Sequence, residues 1–321
     1  MLNLYGHENI LNLFNRILTV GNIANAYLFV GENGLGKIFM AKYFAMMVNC
    51  THKGKRPCLS CPSCLQILSG NHPDIFFVEP EGNSIKADTI RNNVIDNIYV
   101  KPYNSLKKVF IIKEAEKMTE QAQNSILKTL EEPPLYGLFI LTASKMEGLL
   151  PTVVSRCEIV RFTRENDSVI ENYLRNEKNI DSIKAKEIAS IAFGNYGKAD
   201  LLIDPEFSEM RYSLGKILFD SINDEKAIRL DNYKFFDENK DSIDDIINIM
   251  LSYFRDTLVY KMTGDDAFII NKDMIDDIKI LSGNLTGFKL NNIIKKIEDL
   301  NFNLKSNVNY QLAIEDFLLN I

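Results

Sequence analysis

The sequence has no long apolar run, no internal repeat, no low-complexity tract and no excess of positive charge. The first lack excludes a membrane span. Glu8, Asn9, Asn12, Asn15 and Arg16 interrupt the apolar positions of residues 1–25, so neither a signal peptide nor a transmembrane helix is expected there. The expected compartment is the cytoplasm, with no membrane partner. The lack of repeats excludes a stacked-repeat architecture. With 37 Lys and Arg against 43 Asp and Glu, the net charge of −6 argues against a surface that coats nucleic acid generally, although a local basic patch such as Lys53–Arg56 remains open. Cysteine is sparse, at five residues. In a cytoplasmic chain these are metal ligands or buried thiols in preference to disulfides.

What is present is ordinary globular composition over 321 residues, too long for one core, so two or three domains are expected. Gly31-Glu-Asn-Gly34-Leu-Gly36-Lys37-Ile38 has the spacing of a phosphate-binding loop. Ala26–Val30 before it reads as a short buried strand and Phe39–Val48 after it as an apolar helix, the context that such a loop requires. Its glycines let consecutive N–H groups turn toward phosphate oxygens, and the helix N-terminus adds partial positive charge. Lys37 would reach the β- and γ-phosphates. Position 38 should carry a hydroxyl for Mg²⁺, and Ile38 has none.

Further strands are expected at Ile75–Val78, Val109–Ile112, Leu138–Thr142 and Glu158–Phe162. Between them Asn9–Leu18 has a helical stripe, Ile90, Val94, Ile95 and Ile98 mark an amphipathic helix, and Thr119 caps a helix that Pro133 and Pro134 stop. Strands alternating with helices imply a parallel sheet covered on both faces. From Thr163 the character changes. Short helices are expected at Asp167–Lys178, Ile183–Phe193 and Lys198–Ile203, and helix throughout from Glu206, strongest at Ile243–Met262, Leu290–Leu300 and Asn307–Leu319. Asp231–Asp245 reads as a solvated loop or helix face. The expected fold is α/β with a parallel P-loop sheet domain at 1–163, a helical lid at 164–205 and an all-α domain at 206–321.

Cys50, Cys58, Cys61 and Cys64 form C-x7-C-x2-C-x2-C. Zn²⁺ takes four soft ligands in a tetrahedron, and four thiolates leave no open position, so this pattern implies a structural zinc module at 50–64. His52 could ligate by type but is not needed.

Several motifs occur together and in order: the phosphate loop, the cysteine cluster after its helix, Lys108-Val-Phe-Ile-Ile-Lys-Glu-Ala-Glu116, Asn124-Ser-Ile-Leu-Lys-Thr-Leu-Glu-Glu-Pro-Pro134, Pro151-Thr-Val-Val-Ser-Arg-Cys157 and Gly194-Asn-Tyr-Gly-Lys-Ala199. Together with the last helix, around Asn309–Glu315, they resemble the clamp-loader branch of the AAA+ ATPases, and within it the delta-prime-type subunits of bacterial DNA polymerase III. The resemblance spans nearly the whole chain. It implies a collar domain at 206–321 and a hetero-pentamer with gamma/tau motor subunits and a delta subunit. Through that complex it implies the sliding clamp and primed DNA.

The departures from the motor pattern carry as much information. Motors place Asp-Glu after the strand that ends at Ile112; here the pair is Lys113-Glu114. A unit positive charge ~4 Å from a dication is repelled by roughly 8 kcal/mol at an effective dielectric of ~20, an upper bound because the side chain can swing away. Lys198 stands near where motors carry an arginine that senses the γ-phosphate. The resemblance therefore implies a stator without intrinsic ATPase, leaving weak ATP or ADP binding open and no Mg²⁺ expected. It also implies that Ser155-Arg156-Cys157 faces a neighbour's nucleotide, with Arg156 as an arginine finger in trans. An ion pair of Lys113 with Glu32 or Glu116 would fit a dead site equally well, and Cys157 on its own reads as a buried thiol. Two rival readings are a gamma/tau-type motor and a zinc-dependent nucleic-acid binder.

Overall fold

The computed structural model describes residues 4–52, 54–223, 232–306 and 308–321. Lys53 in the basic patch, Asp231 at the start of the acidic stretch and Asn307 at the expected start of the last helix lie outside them, as do residues 1–3 and 224–230.

The chain divides into two compact units, residues 1–173 with 194–197, and residues 174–193 with 198–321. The first unit holds a five-stranded parallel sheet. Its strands are β1 (Ala26–Val30), β2 (Ile75–Val78), β3 (Lys108–Ile112), β4 (Gly137–Ala143) and β5 (Glu158–Arg161), in the order β2-β3-β4-β1-β5. β1, β3 and β4 are buried along their whole length, which is why they read as unbroken apolar runs. Period two is nevertheless kept. Tyr27, Phe29, Val109, Ile111, Leu138 and Ile140 join one core, and Leu28, Phe110, Ile112, Phe139 and Leu141 join the other. Register puts Phe76, Phe110 and Phe139 side by side on three strands, with ring centroids 4.9 and 5.4 Å apart. β5 is an edge strand with one buried residue.

One face of the sheet carries α1 (Glu8–Val20) and α2 (Lys37–Asn49). The other carries Glu120–Glu131 and the segment 87–98. Thr119 caps the former as expected, its hydroxyl accepting from Ala122 N at 3.2 Å. The segment 87–98 departs from a plain α-helix, because Arg91–Ile95 forms a π-turn between Ala87–Ile90 and Asp96–Ile98. Lys108 is buried at its end and donates to Asn97 O and Val100 O, both at 3.0 Å, so its charge sits on carbonyls that the helix leaves open.

The second unit is helical. Pro205–Asn223, Tyr233–Glu238, Ile243–Thr263, Ile275–Asn284, Gly287–Lys305 and Tyr310–Asn320 contribute to one apolar core. The acidic stretch before residue 245 is more than a solvated face: Phe236 is fully buried there and Tyr310 Oη donates to its carbonyl at 2.7 Å. Two short acidic runs hid a buried aromatic from a reading by polarity. No helix among the described residues is long and apolar enough to cross a membrane.

Candidate functional site: a phosphate loop, a four-cysteine cluster and an arginine turn

α2 ends where the cysteine cluster begins. Cys50 follows its last residue, Cys61 caps α3 (Pro62–Leu68), and Cys64 lies in the first turn of α3. All four sulfurs lie within 4.8 Å of one another. A tetrahedron of about 2.3 Å metal–sulfur bonds spaces its sulfurs about 3.8 Å apart, so small movements would close this set on a metal ion. Cys58 Sγ accepts from Cys61 N at 3.3 Å and Cys61 Sγ from Cys64 N at 3.5 Å. Backbone and hydroxyl hydrogen bonds from Ser60 pull the Cys58 thiol down to about 5, the direction a ligating thiolate needs. Burial pushes Cys64 up. His52 turns its Nδ1 to Gly54 N at 3.0 Å and stands outside the set.

β1 delivers the chain to the phosphate loop. Gly34 and Gly36 take φ of 84° and 81°, the left-handed region that favours glycine. α2 starts at Lys37, two residues before the apolar pattern suggests. Lys37 is 7% exposed and its ammonium donates to the loop's own carbonyls, to Glu32 O at 2.7 Å and to Gly31 O. Burial lowers its pKa, against the nearby carboxylates of Glu116, Glu114 and Glu32. A cavity of about 330 Å³ opens here, lined in part by Gly34, Lys37, Ile38, Lys113, Glu114 and Ser144.

Of the three carboxylates near Lys37, Glu114 and Glu32 are held by other cations. Glu114, at φ 51°, pairs with Lys117 at 2.5 Å. Glu116 accepts through Oε1 from Ser144 N at 2.7 Å and from Ser144 Oγ, while its Oε2 is buried with no hydrogen-bond partner. Glu32 is forked by Arg164 at 2.8–3.0 Å. Lys113 pairs with neither Glu32 nor Glu116; its partner is Glu79 at 3.9 Å, which β2 places beside the end of β3.

Three residues outside the phosphate-loop motif hold the loop from behind. Asn195 is 2% exposed, its Nδ2 donates to Asn33 O at 2.7 Å, and Gly197 N donates to Gly34 O at 2.9 Å. A Cβ on Gly34 would fall 2.2 Å from Asn195 Oδ1. His7 sets Nε2 2.8 Å from Leu35 O and Nδ1 3.0 Å from Glu165. The only signal for Asn195 was the Gly-Asn-Tyr-Gly motif; none marked His7. Lys198, the next residue after Gly197, belongs to the second unit and lines a 120 Å³ cavity there.

The arginine turn follows the Pro151–Val154 helix. Arg156 Nη1 donates to Thr152 O at 2.7 Å, and Nη2 pairs with Glu131. Ser155 Oγ donates to Thr152 O at 3.2 Å. Burial pushes the Cys157 thiol up to about 12, so it is an inert thiol at neutral pH.

Comparisons with known proteins give the family. The family model described as "DNA polymerase III, delta subunit" matches residues 6–166, and its "C terminal" counterpart matches residues 207–321. DNA polymerase III subunit delta' of Bacillus subtilis is 30% identical over 97% of this chain and 94% of its own length. The chain belongs to the DNA polymerase III delta-prime family. The tau subunit of the same organism is also 30% identical, over 85% of this chain and 52% of the relative, so the delta-prime-family chain spans about half of that relative. Among solved structures, a gamma subunit-related protein of Thermotoga maritima aligns with 95% of the chain and 97% of its own, at 19% identity and a TM-score of 0.44, too loose a likeness to bear on function. The four-cysteine cluster lies within the segment that the first family model matches.

Proposed function

We propose that the chain is the non-catalytic stator of a DNA polymerase III clamp loader. It assembles with gamma/tau motor subunits and a delta subunit into a hetero-pentamer that loads the sliding clamp on primed DNA in the cytoplasm. Within it, residues 1–163 act as the AAA+ module, 164–205 as the lid and 206–321 as the collar. Cys50, Cys58, Cys61 and Cys64 hold a structural zinc, which supplies rigidity to residues 50–64 and no catalysis because four thiolates leave no open position.

One observation carries the stator reading. At the phosphate cavity Ile38 and Lys113 stand where a motor binds Mg²⁺, while Glu114 is committed to Lys117. Gly31, Gly34, Gly36 and Lys37 keep the backbone nest, so weak ATP or ADP binding without Mg²⁺ is retained. Lys198 serves no hydrolysis of its own. The same observation disfavours the motor reading that the tau relative invites, and the net charge disfavours a zinc-dependent nucleic-acid binder.

Arg156 acts in trans, its planar fork stabilising charge that develops on a neighbour's γ-phosphate, with Ser155 and Cys157 fixing the turn. The test is the ATPase and clamp-loading rate of the reconstituted complex with Arg156→Ala, with assembly checked by gel filtration. A fall of about 10³–10⁵ at one motor site is expected. Equal rates in a fully assembled mutant would make Arg156 an ordinary surface arginine.

A further inference from the structure

Resting on the finger reading, we propose that Glu131 is a latch. It holds the Arg156 guanidinium in cis until a neighbouring subunit presents a phosphate. Arg156 Nη2 pairs with Glu131 and Nη1 donates to Thr152 O. Nε is buried and has no hydrogen-bond partner. Each outward nitrogen thus has an N–H committed within the chain, and a phosphate that takes the whole fork must displace these acceptors.

Glu131 is an odd choice for its own helix. It is the last residue of Glu120–Glu131, where the helix dipole disfavours an acid. Helix stability therefore does not explain the residue, whereas a partner for Arg156 does. Pro133 and Pro134 stop the chain directly behind it, fixing where the carboxylate hangs.

The strength suits a latch. The Arg156 side chain is 28% exposed and that of Glu131 is 50% exposed. A half-solvated pair holds weakly. A polyphosphate carries more charge than one carboxylate and matches the same planar fork, so it wins the exchange when it arrives. In its absence the arginine stays off the surface it would otherwise probe.

The experiment compares the reconstituted motor–delta complex carrying wild-type chain, Glu131→Gln, Glu131→Asp, Arg156→Ala and the double variant Glu131→Gln with Arg156→Ala. ATP turnover is measured at saturating ATP, and KM separately. A latch predicts that Glu131→Gln raises kcat about two- to fivefold with KM of the motor site little changed. Glu131→Asp keeps the carboxylate and stays near wild type. The double variant matches Arg156→Ala, because without the arginine there is nothing to release. If Glu131→Gln leaves kcat unchanged or lowers it while Arg156→Ala still cripples turnover, the latch is overturned and the finger stands. A Glu131→Gln gain that persists in the double variant also overturns it. If Arg156→Ala has no effect in the assembled complex, the finger reading fails and the latch with it.

Discussion

Cys61 offers the sharpest test at the scale of one residue. It contributes a sulfur to the cluster and also caps α3 through its contact with Cys64 N. Protein purified without added zinc is expected to carry one zinc per chain, and Cys61→Ser to bring that well below one, as read by metal analysis. Unchanged zinc in the variant would refute the four-thiolate set. The same scale shows what spacing alone could give. C-x7-C-x2-C-x2-C picked out all four cysteines that the fold gathers, because a metal demands its own donors, whatever the fold around them. Lys113 was legible as a departure, but its partner Glu79 was not, since the pairing depends on β2 and β3 being neighbours.

At the scale of elements, the cysteine module is tied to the sheet through a buried histidine. His72 lies within 3.2 Å of Ser63 Oγ on α3 and 3.3 Å of Ser105 Oγ before β3, and its Nδ1 accepts from Asp74 N at 3.1 Å. A ring nitrogen that accepts must be neutral. Burial accordingly pushes the pKa of His72 below 6.5, against the attraction of Asp74. Unfolded, the ring ionises near 6.5. Between the two values the unfolded chain binds more protons, so stability is complete above about pH 6.5 and falls as pH drops below it. Urea unfolding at pH 7.5 to 5 should show this loss, and His72→Gln should flatten it; zinc content measured at each pH separates the effect from metal release. A wild-type slope that the variant leaves intact would assign the acid sensitivity to other groups. Other elements read differently from sequence. Thr119 announced its helix because a cap is a local hydrogen bond, whereas the π-turn at Arg91–Ile95 arises from how that segment packs and left no mark in the apolar spacing.

For the molecule as a whole, the phosphate site decides whether the chain turns over ATP alone. With Ile38 and Lys113 at the cavity and Glu114 engaged by Lys117, the isolated chain should hydrolyse ATP at a negligible rate. A coupled ATPase assay tests this: turnover that survives repurification and disappears in Lys37→Ala would contradict the stator. In each of the two units the core was visible in advance as apolar periodicity, but the division itself was not, because residues 194–197 fold with the sheet while their sequence neighbours on both sides do not.

The sequence alone determined the parallel sheet, the phosphate-loop spacing, the four cysteines and the presence of Ile38 and Lys113 where the motor pattern has other residues. Each is written in residues close together along the chain or in a motif whose chemistry fixes its spacing. Only the tertiary structure decided that Asn195 and His7 brace the phosphate loop, that Glu79 takes Lys113 and that Glu131 holds Arg156. These contacts join residues from different elements through strand order and loop closure, and Glu131 meets Arg156 because Pro151–Val154 runs back from the start of Glu120–Glu131, where Gln123 meets Gly148 and Leu150, to its end.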